Sequence, residues 1–317
     1  MEVDIIVVFT SLLGLFSIMG VGALAVKLKI IPSTITQNLS SILLKITLPC
    51  TVFYSLVSKE YDPAFLKDSL VSMALCFVIL ILEAVLALFL ASKVLHVQEG
   101  GRGVWAMACS FCNNGFIGYP IIQSLFGTDG LALAVMYGLV INVMTYSMGI
   151  WLVCRDAKSD GEKKKQKTGL RTMLFNNVNI GLLIGVIFYF GRIPVPDIVM
   201  VPVTHFGNMT TPLSMFTTGA IMASSTIGDL LKDKDVYKAA FVRLFFYPFL
   251  ILSCLKMLPF VSQMVYYVVA VTMMMPSPAI ATILSDMYGG NRDLAAKIVL
   301  FSSMLCMVTI PLMTMLL

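Results

Sequence analysis

The chain has 317 residues, of which 58% are hydrophobic and 12% charged, about half the charged share of an ordinary soluble domain. Its net charge of +5 comes from 22 Lys and Arg against 17 Asp and Glu, crowded into short stretches between long apolar runs. Nucleic-acid binding, secretion and intrinsic disorder are excluded, and the pattern is that of a polytopic membrane protein whose apolar surface faces lipid as well as itself.

The first apolar run follows an acidic start, Met1-Glu2-Val3-Asp4, where a signal peptide would be basic, and it therefore stays as a helix. Spans of about 20 residues fit at 5–26, 38–57, 68–92, 104–126, 130–154, 173–191, 206–226, 237–256, 261–286 and 294–317, which predicts ten. Alternating the connections gathers 16 of the 22 basic residues on one face, against Lys59, Lys67, Arg192 and Lys256 on the other, with Lys45 and Arg243 left inside spans. The positive-inside rule then turns both termini outward, away from the cytoplasm of a plasma or inner membrane. The seven cysteines are odd in number and, Cys154 apart, lie within apolar runs, so they read as small membrane residues and not as a disulfide framework.

The most hydrophilic stretch, Arg155 to Arg171, divides the chain almost in half and reads as a basic cytoplasmic linker. Around it, Pro32 matches Pro194, Pro49 matches Pro212, Leu131-Ala132 matches Leu294-Ala295, and Asn114 falls opposite Ser277, all 162 or 163 residues apart. A common offset argues for a repeat, with residues 1–154 and 173–317 as the copies and 155–172 between them. Five spans per copy is odd, so the second copy sits upside down, as in secondary transporters.

The fourth span is interrupted by Asn113-Asn114-Gly115-Phe116-Ile117-Gly118-Tyr119-Pro120 and the ninth by Pro276-Ser277-Pro278. Breaks at mid-membrane free backbone groups that hydrocarbon tolerates only where they are buried in protein or line a polar cavity. Two breaks at equivalent places point to a substrate site, and the partial positive charge of half-helix N-termini suits a small organic anion. Asn113 and Asn114 either offer amide groups to that ligand or cap a half-helix. Two ionisable residues at similar depth, Lys45 and Glu83, either form a structural pair or act in anion attraction or proton coupling. Cys109-x-x-Cys112 has no second pair, and Met273-Met274-Met275 is filler in a chain with 22 methionines, so neither a metal nor a cofactor is expected.

Three segments resemble the auxin efflux carrier family, which includes plant auxin exporters and bacterial carriers of malonate or malate. They are Asn113 to Gly130 as Asn-x-Gly-Phe-x-Gly-x-Pro…Phe-Gly-x-x-Gly, Pro212-Leu213-Ser214-Met215-Phe216-Thr217-Thr218-Gly219-Ala220, and Pro276 onward through Tyr288-Gly289-Gly290-Asn291-Arg292-Asp293-Leu294-Ala295-Ala296 to Pro311. The resemblance implies an all-α integral membrane protein with ten transmembrane helices in an inverted five-helix repeat, crossed and broken helices 4 and 9, a transport domain moving against a scaffold, and a homodimer. It makes Asn113 the crossover asparagine, with Gly115 and Pro120 shaping the first break and Pro276 the second. The chain departs from the family at Ile280, where many members carry asparagine, and at Lys45, where an uncharged polar residue is usual.

The expected function is therefore a secondary active transporter of a mono- or dicarboxylate with a proton or sodium as coupling ion, in contact with membrane lipids and without nucleic acid. Its expected binding residues are Asn113, Asn114, Gly115, Pro120, Pro276, Ser277 and Pro278. The alternatives are a cation/proton antiporter of similar fold and a non-transporting membrane ligand sensor. An enzyme is not expected, because no nucleophile has a base nearby in sequence.

Overall fold

A computed structural model describes residues 5–32, 34–155, 177–224 and 233–315, so nearly all of the basic linker lies outside the described residues. Every regular element among the described residues is helical, and six stretches are long and apolar enough to cross a membrane. Leu13, Leu82, Val85, Phe249 and Val308 are each more than half exposed, the surface that a lipid-facing helix presents.

The elements in chain order are α1 (Ile5–Lys27), α2 (Ile35–Ile42), α3 (Leu48–Val57), α4 (Pro63–Phe89), α5 (Arg102–Ser110), α6 (Tyr119–Met144), α7 (Ile150–Cys154), α8 (Asn177–Gly191), α9 (Asp197–Asn208), α10 (Thr210–Ser224), α11 (Lys234–Phe241), α12 (Tyr247–Leu255), α13 (Gln263–Met273), α14 (Ile280–Tyr288) and α15 (Arg292–Thr314). The break expected between the fourth and fifth spans falls at Gly127 within α6, whose φ of 63° only glycine adopts without strain. Gly289, at the end of α14, has φ 77° and stands at the same 162-residue offset. Helix α4 starts earlier than hydropathy suggests, at Pro63, and α9 is a separate helix ahead of α10, to which the span at 206–226 corresponds.

Five wide, π-helical turns interrupt or end helices among the described residues, at Leu43–Thr47, Leu90–Val94, Asn114–Gly118, Thr145–Gly149 and Val242–Phe246. Three of them end two residues before a proline, Pro49, Pro120 or Pro248. Proline has no N–H to donate and its ring collides with the carbonyl four residues back, so a widened turn makes room for it. At Pro49 the carbonyl left over is that of Lys45, and the Asn177 side chain donates to it from 3.2 Å.

The helices form two compact units. The first comprises Met1–Ser72, Gly115–Leu139 and Leu174–Ser225. Here α1 packs along α10 with almost no side chain between them: Gly22 lies against the Phe216 carbonyl and Gly219 against that of Met19. Small residues let membrane helices approach this closely, where dispersion and weak polar contacts replace the hydrophobic effect. Likewise Gly181 meets the Pro49 backbone and Gly185 meets Leu56, seating α8 on α3. Thr51 ties α3 to α9 and α10 through the Gly207 carbonyl at 3.0 Å and the Thr210 hydroxyl at 2.6 Å.

The second unit comprises Met73–Asn114, Val140–Met173 and Thr226–Leu317. Three of its helix starts are capped by side chains: Asp233 accepts from the Asp235 N–H, Ser262 from Val265 and Asn291 from Leu294. Trp105, fully buried on α5, donates its indole N–H to the Asp235 carbonyl at 2.9 Å. Gly290 fits between Val104 and Val153, where a Cβ would come within 2.8 Å of both.

Candidate functional site

In the second unit α5 is buried on all sides from Gly103 to Ser110, and α13 is buried at Val265 and from Tyr267 to Met273. An apolar helix with no polar face belongs at the centre of its unit. Helix α5 stops at Ser110, and Phe111 turns extended with φ −97° and ψ 156°. Helix α13 stops at Met273, tightens so that Met274 and Met275 donate to the Val271 and Thr272 carbonyls, and then meets Pro276 and Pro278, which have no N–H. The two ends are 163 residues apart, the same separation as Pro49 and Pro212.

The breaks meet directly. The Asn113 N–H donates to the Pro276 carbonyl at 2.8 Å, so two interrupted helices are joined backbone to backbone in the interior of the unit. The next residue on each segment is Asn114 and Ser277, and both side chains are buried, Asn114 to within 5% of complete. Neither side-chain atom of Asn114, Nδ2 or Oδ1, has a hydrogen-bond partner among the described residues, and neither has Ser277 Oγ. The Ser277 backbone is held in place by its N–H, which donates to Ser302 Oγ on α15 at 3.1 Å. Pro278 opens the turn into α14 by accepting from the Ala281 N–H. Gly115 and Pro120 belong to the first unit, where a Cβ on Gly115 would touch Leu48 and Pro120 is the second residue of α6.

Arg243 lies in the wide turn between α11 and α12 and is wholly buried. Its Nε donates to the Met275 carbonyl at 2.9 Å and its Nη1 to the Cys109 carbonyl at 3.3 Å, while Nη2 reaches the Thr272 carbonyl at 3.5 Å. The last carbonyls of a helix have no partner within it and carry its partial negative charge. One guanidinium thus binds the open ends of both α5 and α13. Its Nη1 is also 3.6 Å from Glu83 Oε1, and Tyr247, on α12, donates to the Glu83 backbone carbonyl at 2.8 Å.

Lys45 and Glu83, which the sequence places at similar depth, belong to different units. The cation beside Glu83 is Arg243, and Lys45 is exposed in the wide turn of the first unit. Depth in a span gave the two residues a similar position, but depth alone says nothing about which face of a helix a residue occupies. Arg243 could have been found by the rule that exposed Glu83, because it too is an ionisable residue inside a span.

The profile of the family described as membrane transport protein matches residues 7–314. Among relatives, an uncharacterized transporter of Methanothermobacter thermautotrophicus is 22% identical over 276 residues, covering 87% of each chain. An uncharacterized transporter of Methanocaldococcus jannaschii is 24% identical over 231 residues, covering 72% of this chain and 70% of that one. With the match running nearly end to end over a helical, apolar chain that carries the motifs of the auxin efflux carriers, this protein belongs to that family of membrane transport proteins.

Proposed function

We propose that the protein is a secondary active transporter that moves a small organic anion, a mono- or dicarboxylate of the malonate, malate or auxin-like kind, across the membrane by alternating access. The observation that carries this reading is the pair of buried, unpartnered polar side chains, Asn114 and Ser277, at the meeting of two broken helices. A buried polar group left without a partner costs about 1–3 kcal/mol, and such groups persist where a ligand supplies the missing bonds. An ionised carboxylate only accepts hydrogen bonds, so it takes the Asn114 Nδ2–H and the Ser277 Oγ–H, while Oδ1 remains for a substrate hydroxyl. Asn113, Gly115, Pro120, Pro276 and Pro278 hold the backbone that presents them.

In this reading the two halves of the sequence are inverted five-helix copies, ten membrane helices in all, and the common offset of the two helix ends supports it. The unit that holds the crossing carries the substrate, and the other serves as scaffold in a homodimer. The carrier reading by itself admits either a proton or a sodium ion for coupling. An antiporter of cations is less favoured, because Glu83 is the only buried carboxylate among the described residues and Arg243 already faces it.

Reconstituted in liposomes, the protein is expected to give saturable flux of a carboxylate, which a sensor would not. Asn114→Ala removes no protein hydrogen bond, so it is expected to leave melting without ligand unchanged while lowering flux at least tenfold. Unchanged flux in this variant would refute the assignment. For orientation in the plasma or inner membrane, a reporter fused after Leu317 is expected outside and one inserted near Lys164 inside; finding both on one face would overturn the ten-helix topology.

A further inference from the structure

We propose that the Arg243 guanidinium is a built-in cation held by the kind of ligand set with which broken-helix carriers bind a coupling sodium, so that this chain binds and moves its substrate without sodium. In such carriers the unwound carbonyls and the C-terminal ends of half-helices coordinate the ion. Here the same kinds of ligand converge: the carbonyls of Cys109, Thr272 and Met275 from the ends of α5 and α13, and the carboxylate of Glu83. The guanidinium is among them already.

Three features make that cation permanent. Arginine does not lose its proton in proteins, so the charge cannot leave by titration. The side chain is wholly buried and reaches the three carbonyls through three different nitrogens, which a point charge on a flexible stem would not do. Glu83 is kept beside it by the Tyr247 hydroxyl, which binds the Glu83 backbone from the residue that follows Arg243's own turn. A metal ion entering this set would have to displace Arg243 from Met275 and from Cys109 together.

Only the statement about transport rests on the carrier reading; occupancy of the site is read from melting. Purified protein would be melted in sodium, potassium and choline chloride at equal ionic strength, and uptake of a carboxylate into liposomes compared in sodium and choline. The wild type is expected to melt at one temperature in all three salts and to transport equally in both. Arg243→Gln keeps Glu83 and the carbonyls but removes the cation, and is expected to gain stabilisation by sodium over choline. Arg243→Lys keeps a positive charge and is expected to remain indifferent to sodium. Sodium-specific stabilisation or uptake in the wild type overturns the proposal, as does a folded Arg243→Gln that melts alike in sodium and choline. If Arg243→Gln does not fold, the wild type and Arg243→Lys decide the question. Sodium-indifferent melting with no saturable flux of any carboxylate would reject the carrier reading and leave the built-in cation standing.

Discussion

Arg243→Met, measured in choline, is expected to lower the stability of the protein by about 3–5 kcal/mol, and adding Glu83→Gln to it is expected to recover much of that loss. The single substitution strands the Glu83 carboxylate in an apolar interior and also frees the Met275 and Cys109 carbonyls at the ends of α13 and α5. Removing one partner of a buried pair is far more damaging than removing both, because the remaining charge has no water to return to. Glu83→Gln restores neutrality at that place, although the carbonyls stay unpaired, so the recovery is incomplete. Lys45→Met serves as the contrast and is expected to change melting little, since Lys45 is exposed. Melting of the two single variants and the double variant in detergent checks the cycle. A double variant as unstable as the sum of the singles would show that Arg243 and Glu83 act independently.

The second large effect is expected at the contact of α1 with α10. A Cβ on Gly219 would overlap the Met19 carbonyl oxygen, and one on Gly22 the carbonyl of Phe216. Both obstacles are backbone, so no rotamer change relieves them and the helices must separate. Overpacking a tight contact costs about 1–3 kcal/mol, and Gly219→Val is expected to reach or exceed the top of that range because the separation also loosens neighbouring contacts along the pair. Gly14→Ala, on α1 but with nothing within 4 Å of the added carbon, is expected to be neutral or slightly stabilising. Equal melting temperatures for Gly219→Val and the wild type would mean that the two helices do not touch at this place.

What could be read in advance divides by chemistry. The breaks at Asn113 and Pro276 and the turn at Gly127 were legible because asparagine, proline and glycine inside an apolar run change the backbone wherever they occur, with no need of a neighbour. The partner of Glu83 was not, because Arg243 lies 160 residues away and only packing decides which of two intramembrane cations faces it. That α9 is a helix of its own was not legible for another reason. Its middle carries Pro202, Thr204 and His205, which lower hydropathy, while its start is set by Pro196 just before Asp197. The unpartnered state of Asn114 is a property of everything around it, and no single residue announces it.

The wide turn that holds Arg243 has a consequence for how this chain can diverge. A π-helical turn contains one residue more than an α-helical one, and one residue corresponds to about 100° of rotation around the helix axis. The wide turn winds less per residue and absorbs that rotation, so deleting a single residue between Arg243 and Phe246 would restore a regular helix while the segments on its two sides keep nearly the faces they present now. Arg243 and Tyr247, which now address Met275 and Glu83 together, would stand three residues apart in place of four and still share one face. A descendant carrying such a deletion would therefore lose the wide turn and yet keep the cation between its broken helices, whereas loss of Arg243 itself would remove it.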